Sequence, residues 1–209
     1  IIIASARPQS VEHETKTETD GIDIVLAVDI SGSMLARDFQ PDRLTAAKEV
    51  ASQFVANRQG DRIGLVVFAG EAKVQLPITT DYRMARSFAK RLSPSLVEVQ
   101  GTDISDAIDL ASLSFSQREG ASRVMILITD GEAHDSDALA AAERAAERGI
   151  RIFTIGIGSP KGAPIQINGE FIQDEKGEMV VSRLNEELLQ QIAESGNGGY
   201  IRASNAEFG

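Results

Sequence analysis

Short, continuously apolar segments alternate with segments of helical periodicity, and this alternation constrains the fold more than any other feature of the sequence. The apolar segments have the length of buried strands, and they lie at 22–30, 63–68, 124–129 and 150–157. Apolar residues recur at helical spacing between them, at about 42–58, 81–92, 104–115 and 136–148. This alternation predicts an α/β fold with a doubly wound, Rossmann-like, mostly parallel sheet and helices on both faces.

Two segments depart from the regular alternation. Residues 73–78 follow the strand at 63–68 too closely for a crossover helix, so we expect them to form one antiparallel edge strand. Residues 158–183 precede a last helix at about 185–195 and contain Asn168-Gly169 between apolar residues, which is a hairpin signal. We therefore predict a β-hairpin insertion before the last helix, with a short final strand at 200–201.

The two ends of the chain differ from its middle. Residues 1–20 are expected to form an exposed leader or linker, which is membrane-proximal if a membrane span precedes it, residues 21–204 a single domain, and residues 205–209 the start of a C-terminal linker. Residues 1–6 are apolar or small, which suits either a strand cut short or the end of a membrane span, and composition leaves both open. The printed sequence holds no run of about 20 apolar residues, which a complete transmembrane helix needs.

The charge balance and the lack of cysteine exclude several classes of function. The chain has 21 Lys and Arg against 31 Asp and Glu, a formal net charge of −10. A field of this sign repels nucleic-acid phosphates and attracts cations. Because there is no cysteine, disulfides, thiolate-bound metals, iron–sulfur clusters and cysteine nucleophiles are all excluded.

Oxygen-bearing side chains follow two predicted strands and precede one predicted helix. They belong to Asp29, Ser31, Ser33, Thr102 and Asp130. Because ligands of open α/β sheets bind at the carboxyl ends of the strands, we expect these side chains to converge on one edge. Two carboxylates and three hydroxyls suit Mg²⁺ or Mn²⁺ and disfavour zinc or copper. Ca²⁺ is less favoured, since two carboxylates are few for a cation that takes about 6–8 oxygen ligands.

Each of these segments, taken alone, also has an ordinary structural interpretation. Ser33 or Thr102 could cap a helix, since short hydroxyl side chains favour that position. The pair Asp130-Gly131 is a common turn after a strand.

Four neighbouring residues are weaker candidates for a role at the same site. Asp103 and Asp106 suit the first turn of a helix, where the helix dipole stabilises acidic groups, although Asp103 could also orient a metal-bound water. Glu132 is expected at the rim of the site. His134 has three open interpretations, as a ligand, an acid–base group or a surface residue.

Taken together and in this order, the three segments resemble the metal-ion-dependent adhesion site of von Willebrand factor type A domains. That pattern is Asp-x-Ser-x-Ser, then a Thr, then an Asp in a Thr/Ser-Asp-Gly turn. The corresponding stretches here are Asp29-Ile30-Ser31-Gly32-Ser33, Gly101-Thr102-Asp103 and Thr129-Asp130-Gly131, with no ligand position substituted. The resemblance covers about residues 20–203. It implies that the five side chains bind a metal, and that a protein partner presents Asp or Glu to that metal.

The chain also resembles bacterial Bat (aerotolerance-operon) membrane proteins, and specifically the BatB type. The stretches that carry this resemblance are 61–70, 76–82, 97–104, 153–158, 159–165 and 200–203. The resemblance implies membrane spans on both sides of the domain, in the bacterial inner membrane, with the domain in the periplasm. It also implies assembly with other type A domain membrane proteins and with a MoxR-type ATPase system.

Three functions are compatible with these observations. The first, which we favour, is a non-enzymatic, metal-dependent protein-binding module. The second is a metal-assisted hydrolase or phosphotransferase with Asp29 as nucleophile, although the sequence lacks phosphate-binding glycine motifs and a nucleophile elbow. The third is a structural scaffold whose metal only rigidifies the loops. The resemblance also raises the question of whether the helix at about 185–195 shifts on partner binding or stays fixed.

Overall fold

The structure is a computed structural model that describes residues 21–116, 120–133, 137–167 and 169–204. Its strands are β1 (Asp23–Asp29), β2 (Arg62–Phe68), β3 (Ala72–Thr79), β4 (Arg123–Thr129), β5 (Ile150–Gly156), β6 (Ala163–Pro164), β7 (Gln166–Ile167), β8 (Glu170–Phe171), β9 (Val181–Ser182) and β10 (Tyr200–Arg202). Its α-helices are α1 (Arg43–Ala56), α2 (Tyr82–Lys90), α3 (Ile104–Ser114), α4 (Ala138–Glu147) and α5 (Glu186–Ser195).

Six of the strands form the central sheet, in the order β10-β5-β4-β1-β2-β3. All neighbouring pairs are parallel except β2 and β3, which pair antiparallel. Every residue of β1 is buried, as expected for a central strand with helices on both faces. The predicted doubly wound α/β fold, with one antiparallel edge strand, is confirmed.

Alternate residues of β1 separate two hydrophobic cores. Leu26 and Val28 belong to the core on the face covered by α1 and α2. Val25 and Ala27 belong to the core on the face covered by α3, α4 and α5. Because successive side chains of a strand point to opposite faces, this single strand contributes side chains to both cores.

Predicted and observed boundaries differ by at most a few residues. The strand predicted at 22–30 is β1, which ends at Asp29, where the chain turns into the site described below. The helix after Asp81 begins as predicted, since the Asp81 carboxylate accepts a hydrogen bond from the Met84 amide at 2.9 Å. The helix predicted from 136 begins at Ala138, and Ser136 lies outside the described residues.

The segment between β5 and α5 contains two small antiparallel pairs, β6 with β9 and β7 with β8. The strands β7 and β8 flank the predicted turn, of which Asn168 lies outside the described residues. The segment has a small core of its own, with Ala36, Ala163 and Ile165 at its centre. We call residues 158–183 the insertion from here on. It lies against the chain that leaves β1, and therefore beside the carboxyl edge of the sheet.

Among the residues that the structure describes, no helix is long and apolar enough to cross a membrane. The predicted leader at 1–20 and the predicted linker at 205–209 fall outside the described residues.

Candidate metal centre

Two strand ends bring the predicted acidic residues to the same edge of the sheet. β1 ends at Asp29 and its neighbour β4 ends at Thr129, immediately before Asp130. The Thr129 hydroxyl donates a hydrogen bond to Asp29 Oδ2 at 2.6 Å, and it accepts one from the Gly131 amide at 3.0 Å. Parallel pairing therefore places Asp29 beside the Asp130 turn, as the sequence predicted.

The loop after β1 wraps around the Asp29 carboxylate. The Ser31 amide donates to Asp29 Oδ1 at 2.8 Å, and the Ser31 and Ser33 hydroxyl oxygens are 3.0 Å apart. Ser31 precedes the short 3-10 helix Gly32–Leu35, but its side chain makes no capping hydrogen bond. The two hydroxyls therefore contact each other and are not used to cap the helix.

Thr102 comes from a third loop, which is fastened to the end of β2. The Gly70 amide donates to the Val99 carbonyl at 3.0 Å, and the Asp103 amide donates to the Ala69 carbonyl at 2.7 Å. Gly70 fits because a Cβ there would lie 2.4 Å from the Gln100 carbonyl oxygen. Two backbone hydrogen bonds thus set the position of Thr102 relative to the sheet.

A cavity of about 290 Å³ opens beside these loops, and Ser31, Ser33 and Thr102 all line it. The suggested role of Thr102 as a helix cap is wrong, because Asp103 is the N-cap of α3 and accepts from the Asp106 amide at 2.9 Å. Asp106 Oδ2 accepts from the Ala72 amide at 2.7 Å. Both acids are therefore engaged in local structure.

Asp130 lies in a buried network with a residue that the sequence analysis missed. Arg43 Nη1 donates to Asp130 Oδ2 at 2.8 Å, and neither side chain has any exposed surface. The other end of the guanidinium binds both oxygens of Asp38 at 2.7 Å. Arg43 also donates to the Ser182 hydroxyl at 2.6 Å, on β9 of the insertion. Arg43 therefore joins a predicted metal ligand to the insertion.

The position of Arg43 in the sequence does contain a signal of its role. Arg43 is the first residue of α1 and stands four residues before Ala47 and eight before Ala51, on the buried stripe of that helix. A charged residue on an apolar stripe requires a buried partner, because an unpaired buried charge is costly.

Asp29 and Asp38 differ in the charges that surround them, and their pKa values shift in opposite directions. Burial, together with the nearby Asp130 charge, raises the pKa of Asp29 from 3.8 to about 7, against the opposing hydrogen bonds from Ser31 and Thr129. In the described part of the chain, no basic side chain forms an ion pair with Asp29. For Asp38, burial alone would raise the pKa, but the hydrogen bonds and charge of Arg43 lower it below 3.8.

A divalent cation fits the donors that the structure brings together. They are all oxygens, and one of them belongs to the buried Asp29 carboxylate, which pairs with no basic side chain in the described ranges. Within the described ranges, no group of three or more carboxylate or histidine side chains is placed to hold a metal. A metal here would therefore depend on hydroxyl ligands as well as on Asp29 and Asp130.

The remaining sequence candidates have these positions. Glu132 lines the cavity, and its amide donates to Asp130 Oδ1 at 3.0 Å, so it lies at the rim, as expected. His134 lies outside the described residues.

Comparison with known proteins identifies the family and its solved relatives. The family profile described as von Willebrand factor type A domain matches residues 23–207. An aerotolerance-related membrane protein from Bacteroides fragilis is 47% identical, with a TM-score of 0.86, over 90% of this chain and 94% of that chain. The conserved hypothetical protein BatB from Bacteroides thetaiotaomicron is 46% identical, also with a TM-score of 0.86, over 90% of this chain and 93% of that one.

Two more distant relatives match this chain over only part of their own length. An uncharacterized protein from Borreliella burgdorferi is 28% identical over 216 residues, which is 100% of this chain but only 61% of the relative. The chain thus spans 61% of the length of that curated relative. Proximal thread matrix protein 1 from the mussel byssus, solved with a zinc-occupied adhesion motif, is 20% identical over 90% of this chain and 42% of that chain, with a TM-score of 0.67. At that identity it shows a shared fold alone.

Proposed function

The chain belongs to the von Willebrand factor type A domain family, and from that membership we propose that it is a divalent-metal-dependent protein-binding module and not an enzyme. The bound ion would take a carboxylate from a partner protein. The observation that carries the proposal is the buried Asp29 carboxylate, which has no basic partner among the described side chains and lies beside the hydroxyls of Ser31 and Ser33.

The proposed ligands are the five residues singled out from the sequence. Ser31, Ser33 and Thr102 would bind the metal through their hydroxyls, and Asp29 and Asp130 directly or through water. Mg²⁺ or Mn²⁺ suits this set better than Ca²⁺, which takes more oxygens. When bound, the ion would supply a positive centre that attracts a carboxylate. The mussel protein, which shares the fold, holds zinc in an adhesion motif of its own.

The surroundings of Asp29 favour binding over catalysis. A nucleophilic carboxylate must reach its substrate, but Asp29 is fully buried and both of its oxygens already accept hydrogen bonds. Arg43, the cation nearest to Asp130 in the described structure, is also buried and engaged by Asp38 and Ser182. These contacts do not support a hydrolase or phosphotransferase that uses Asp29.

The cellular setting is proposed from the similarity to BatB. The whole protein would be anchored in the bacterial inner membrane, with residues 1–20 as a membrane-proximal leader and 205–209 as the start of a linker. The type A domain, at 21–204 with the insertion at 158–183, would lie in the periplasm. There it would assemble with other type A domain membrane proteins, in a system that includes a MoxR-type ATPase. Membrane proteins among the similar solved structures support this setting.

Affinity capture from solubilised native membranes tests the proposal. Wild-type protein is expected to retain specific partners in Mg²⁺ and to release them in EDTA, whereas Asp29→Ala retains none. The control is Asp109→Ala, because Asp109 pairs with Arg144 on the exposed surface. If EDTA lowered thermal stability but left capture intact, the metal would only rigidify the loops. Phosphate-ester turnover that Asp29→Ala abolishes would support the enzyme instead.

A further inference from the structure

Two chemically different groups of residues line the cavity at the candidate metal site. One group is the hydroxyl residues of the site, and the other, which we call the apolar half of the lining, is Ile165, Ile172 and Val180 of the insertion. From this juxtaposition we propose that the partner carries a large aliphatic or aromatic side chain next to the acidic residue that reaches the metal. The inference rests on the proposed function and deepens it, because it names the chemistry of the partner segment.

The three apolar residues form one preorganised wall. The Ile165 amide donates to the Val180 carbonyl at 3.1 Å, the Ile172 amide to the Ile165 carbonyl at 3.0 Å, and the Val180 amide to the Ile172 carbonyl at 2.9 Å. The three backbones are thus closed into a ring of hydrogen bonds. Because this wall is already ordered, binding a partner against it loses less conformational entropy than binding to a mobile loop would.

The apolar wall is also fixed relative to the proposed metal ligands. Ile165 forms an antiparallel bridge with Ala36, only three residues after Ser33. On its other side, the insertion is held by Ser182, whose hydroxyl binds Arg43 and lies 3.3 Å from Asp130 Oδ2. The spacing between the acidic-residue position and the apolar half is therefore a property of the fold.

Size and surface chemistry both indicate a protein segment. A volume of about 290 Å³ is at the lower limit of small-molecule pockets, and it suits side chains better than a cofactor. Large apolar residues are exposed on both segments that border the cavity: Val99 on the Thr102 loop, and Ile167, Phe171 and Met179 on the insertion. Clusters of exposed apolar residues mark interaction surfaces.

The net negative charge of the chain indicates why apolar contacts would help a partner carboxylate to bind. Glu132 lines the cavity, and the whole chain carries a formal net charge of −10. The net charge of the chain and Glu132 therefore oppose a partner carboxylate, which the proposed metal would attract. Burial of a neighbouring apolar side chain adds attraction that does not depend on charge.

Three short peptides with blocked ends test the inference by methyl and amide NMR titration in saturating Mg²⁺. They contain glutamate followed by leucine, glutamate followed by serine, and glutamine followed by leucine, each between glycines. The glutamate–leucine peptide is expected to bind about tenfold more tightly than the glutamate–serine peptide, because part of a leucine side chain leaves water. The largest methyl shifts are expected at Ile165, Ile172 and Val180.

A pair of isosteric variants separates the wall from the metal site. Val180→Thr keeps the side-chain shape but places a hydroxyl in the wall, so the preference for leucine is expected to fall several-fold while Mg²⁺ affinity is unchanged. Val74→Thr is the matched control, since Val74 is exposed on β3 and does not line this cavity. It is expected to keep the full preference.

The possible outcomes distinguish the inference from the proposed function. Equal binding of the two glutamate peptides, lost in EDTA, would overturn the apolar preference and leave metal-dependent binding intact. Binding that needs neither glutamate nor Mg²⁺ would overturn both. If the free protein sedimented as a dimer that Val180→Thr dissociates, the wall would belong to a second copy of the chain, and the inference would be overturned.

Discussion

Replacing Arg43 with Met is expected to destabilise the protein strongly. The methionine side chain fills part of the same space, but it leaves Asp38 and Asp130 without the cation that now joins them. Five hydrogen bonds disappear: two to Asp38, one to Asp130 and two to Ser182. The acceptors that remain are either fully buried or nearly so.

The expected magnitude follows from the burial of the pair. Neither Arg43 nor Asp130 has any exposed side-chain surface, and only 10% of the Asp38 side chain is exposed. Removing one member of a buried ion pair costs about 3–5 kcal/mol, because the remaining charge is left uncompensated. For a domain of this size, each kcal/mol lowers the unfolding midpoint by about 2–4 °C. A fall in the midpoint of about 10 °C is therefore expected.

Urea unfolding and calorimetry in EDTA measure this cost without a contribution from metal. Arg144→Met is the matched control, because Arg144 pairs with Asp109 on the surface, where about half of each side chain is exposed. Its midpoint should equal that of the wild type. The midpoint of Arg43→Lys should lie between those of the wild type and Arg43→Met, since lysine retains the charge but loses the forked geometry. A loss below about 1 kcal/mol for Arg43→Met would show that Arg43 does not form a strongly stabilising buried ion pair, since such pairs cost more than that to break.

Three further outcomes follow from the same geometry. At a pH above the Asp29 pKa of about 7, Asp29→Asn in EDTA should be at least as stable as the wild type by calorimetry, because it removes a buried charge, and Mg²⁺ should no longer stabilise it. Gly131→Ala should cost more unfolding free energy in urea than Gly149→Ala; both glycines have positive φ, but only at Gly131 would the Cβ meet α5, at 3.0 Å. The stability difference between wild type and Arg43→Met should be greatest near neutral pH and shrink as the pH falls towards and below 3.8 in a pH series, because Arg43 keeps Asp38 ionised in the wild type, whereas burial without Arg43 favours its protonated form.

The fold was predictable because its signals are local. Continuous apolar runs mark strands buried on both faces, and the short link between β2 and β3 requires an antiparallel pair. The ends of those runs also predicted that Asp29 and Asp130 lie at one edge of the sheet, since the two residues follow neighbouring parallel strands. Periodicity alone is enough to place these two residues at one edge of the sheet, but it does not predict their side-chain contacts.

The polar network beneath the site was not predictable in the same way. Arg43 is 87 residues from Asp130 and 139 from Ser182 in the sequence, so no local pattern joins them. The motif places Thr129 in the turn before Asp130, but nothing in the sequence shows that its hydroxyl donates to Asp29. Such contacts depend on side-chain directions at the sheet edge, which are set only after the strands pair.

Whether α5 moves when a partner binds stays a prediction, and its contacts favour a fixed helix. The Asn185 amide, just before α5, donates to the Asp130 carbonyl at 2.8 Å, and the Thr154 hydroxyl donates to the Leu189 carbonyl at 2.9 Å. A disulfide engineered between α5 and β5 should leave the Mg²⁺-dependent affinity for the glutamate peptides unchanged. Loss of that affinity in the oxidised protein alone would indicate a moving helix.

Titration calorimetry of Mg²⁺ into the metal-free domain measures whether Asp29 takes part in binding the ion. Saturable binding of one ion is expected for the wild type and for the control Asp109→Ala, with no detectable binding by Asp29→Ala. Circular dichroism would establish that all three proteins are folded. Mg²⁺ binding by Asp29→Ala with the affinity of the wild type would contradict the assignment of the metal to this edge of the sheet.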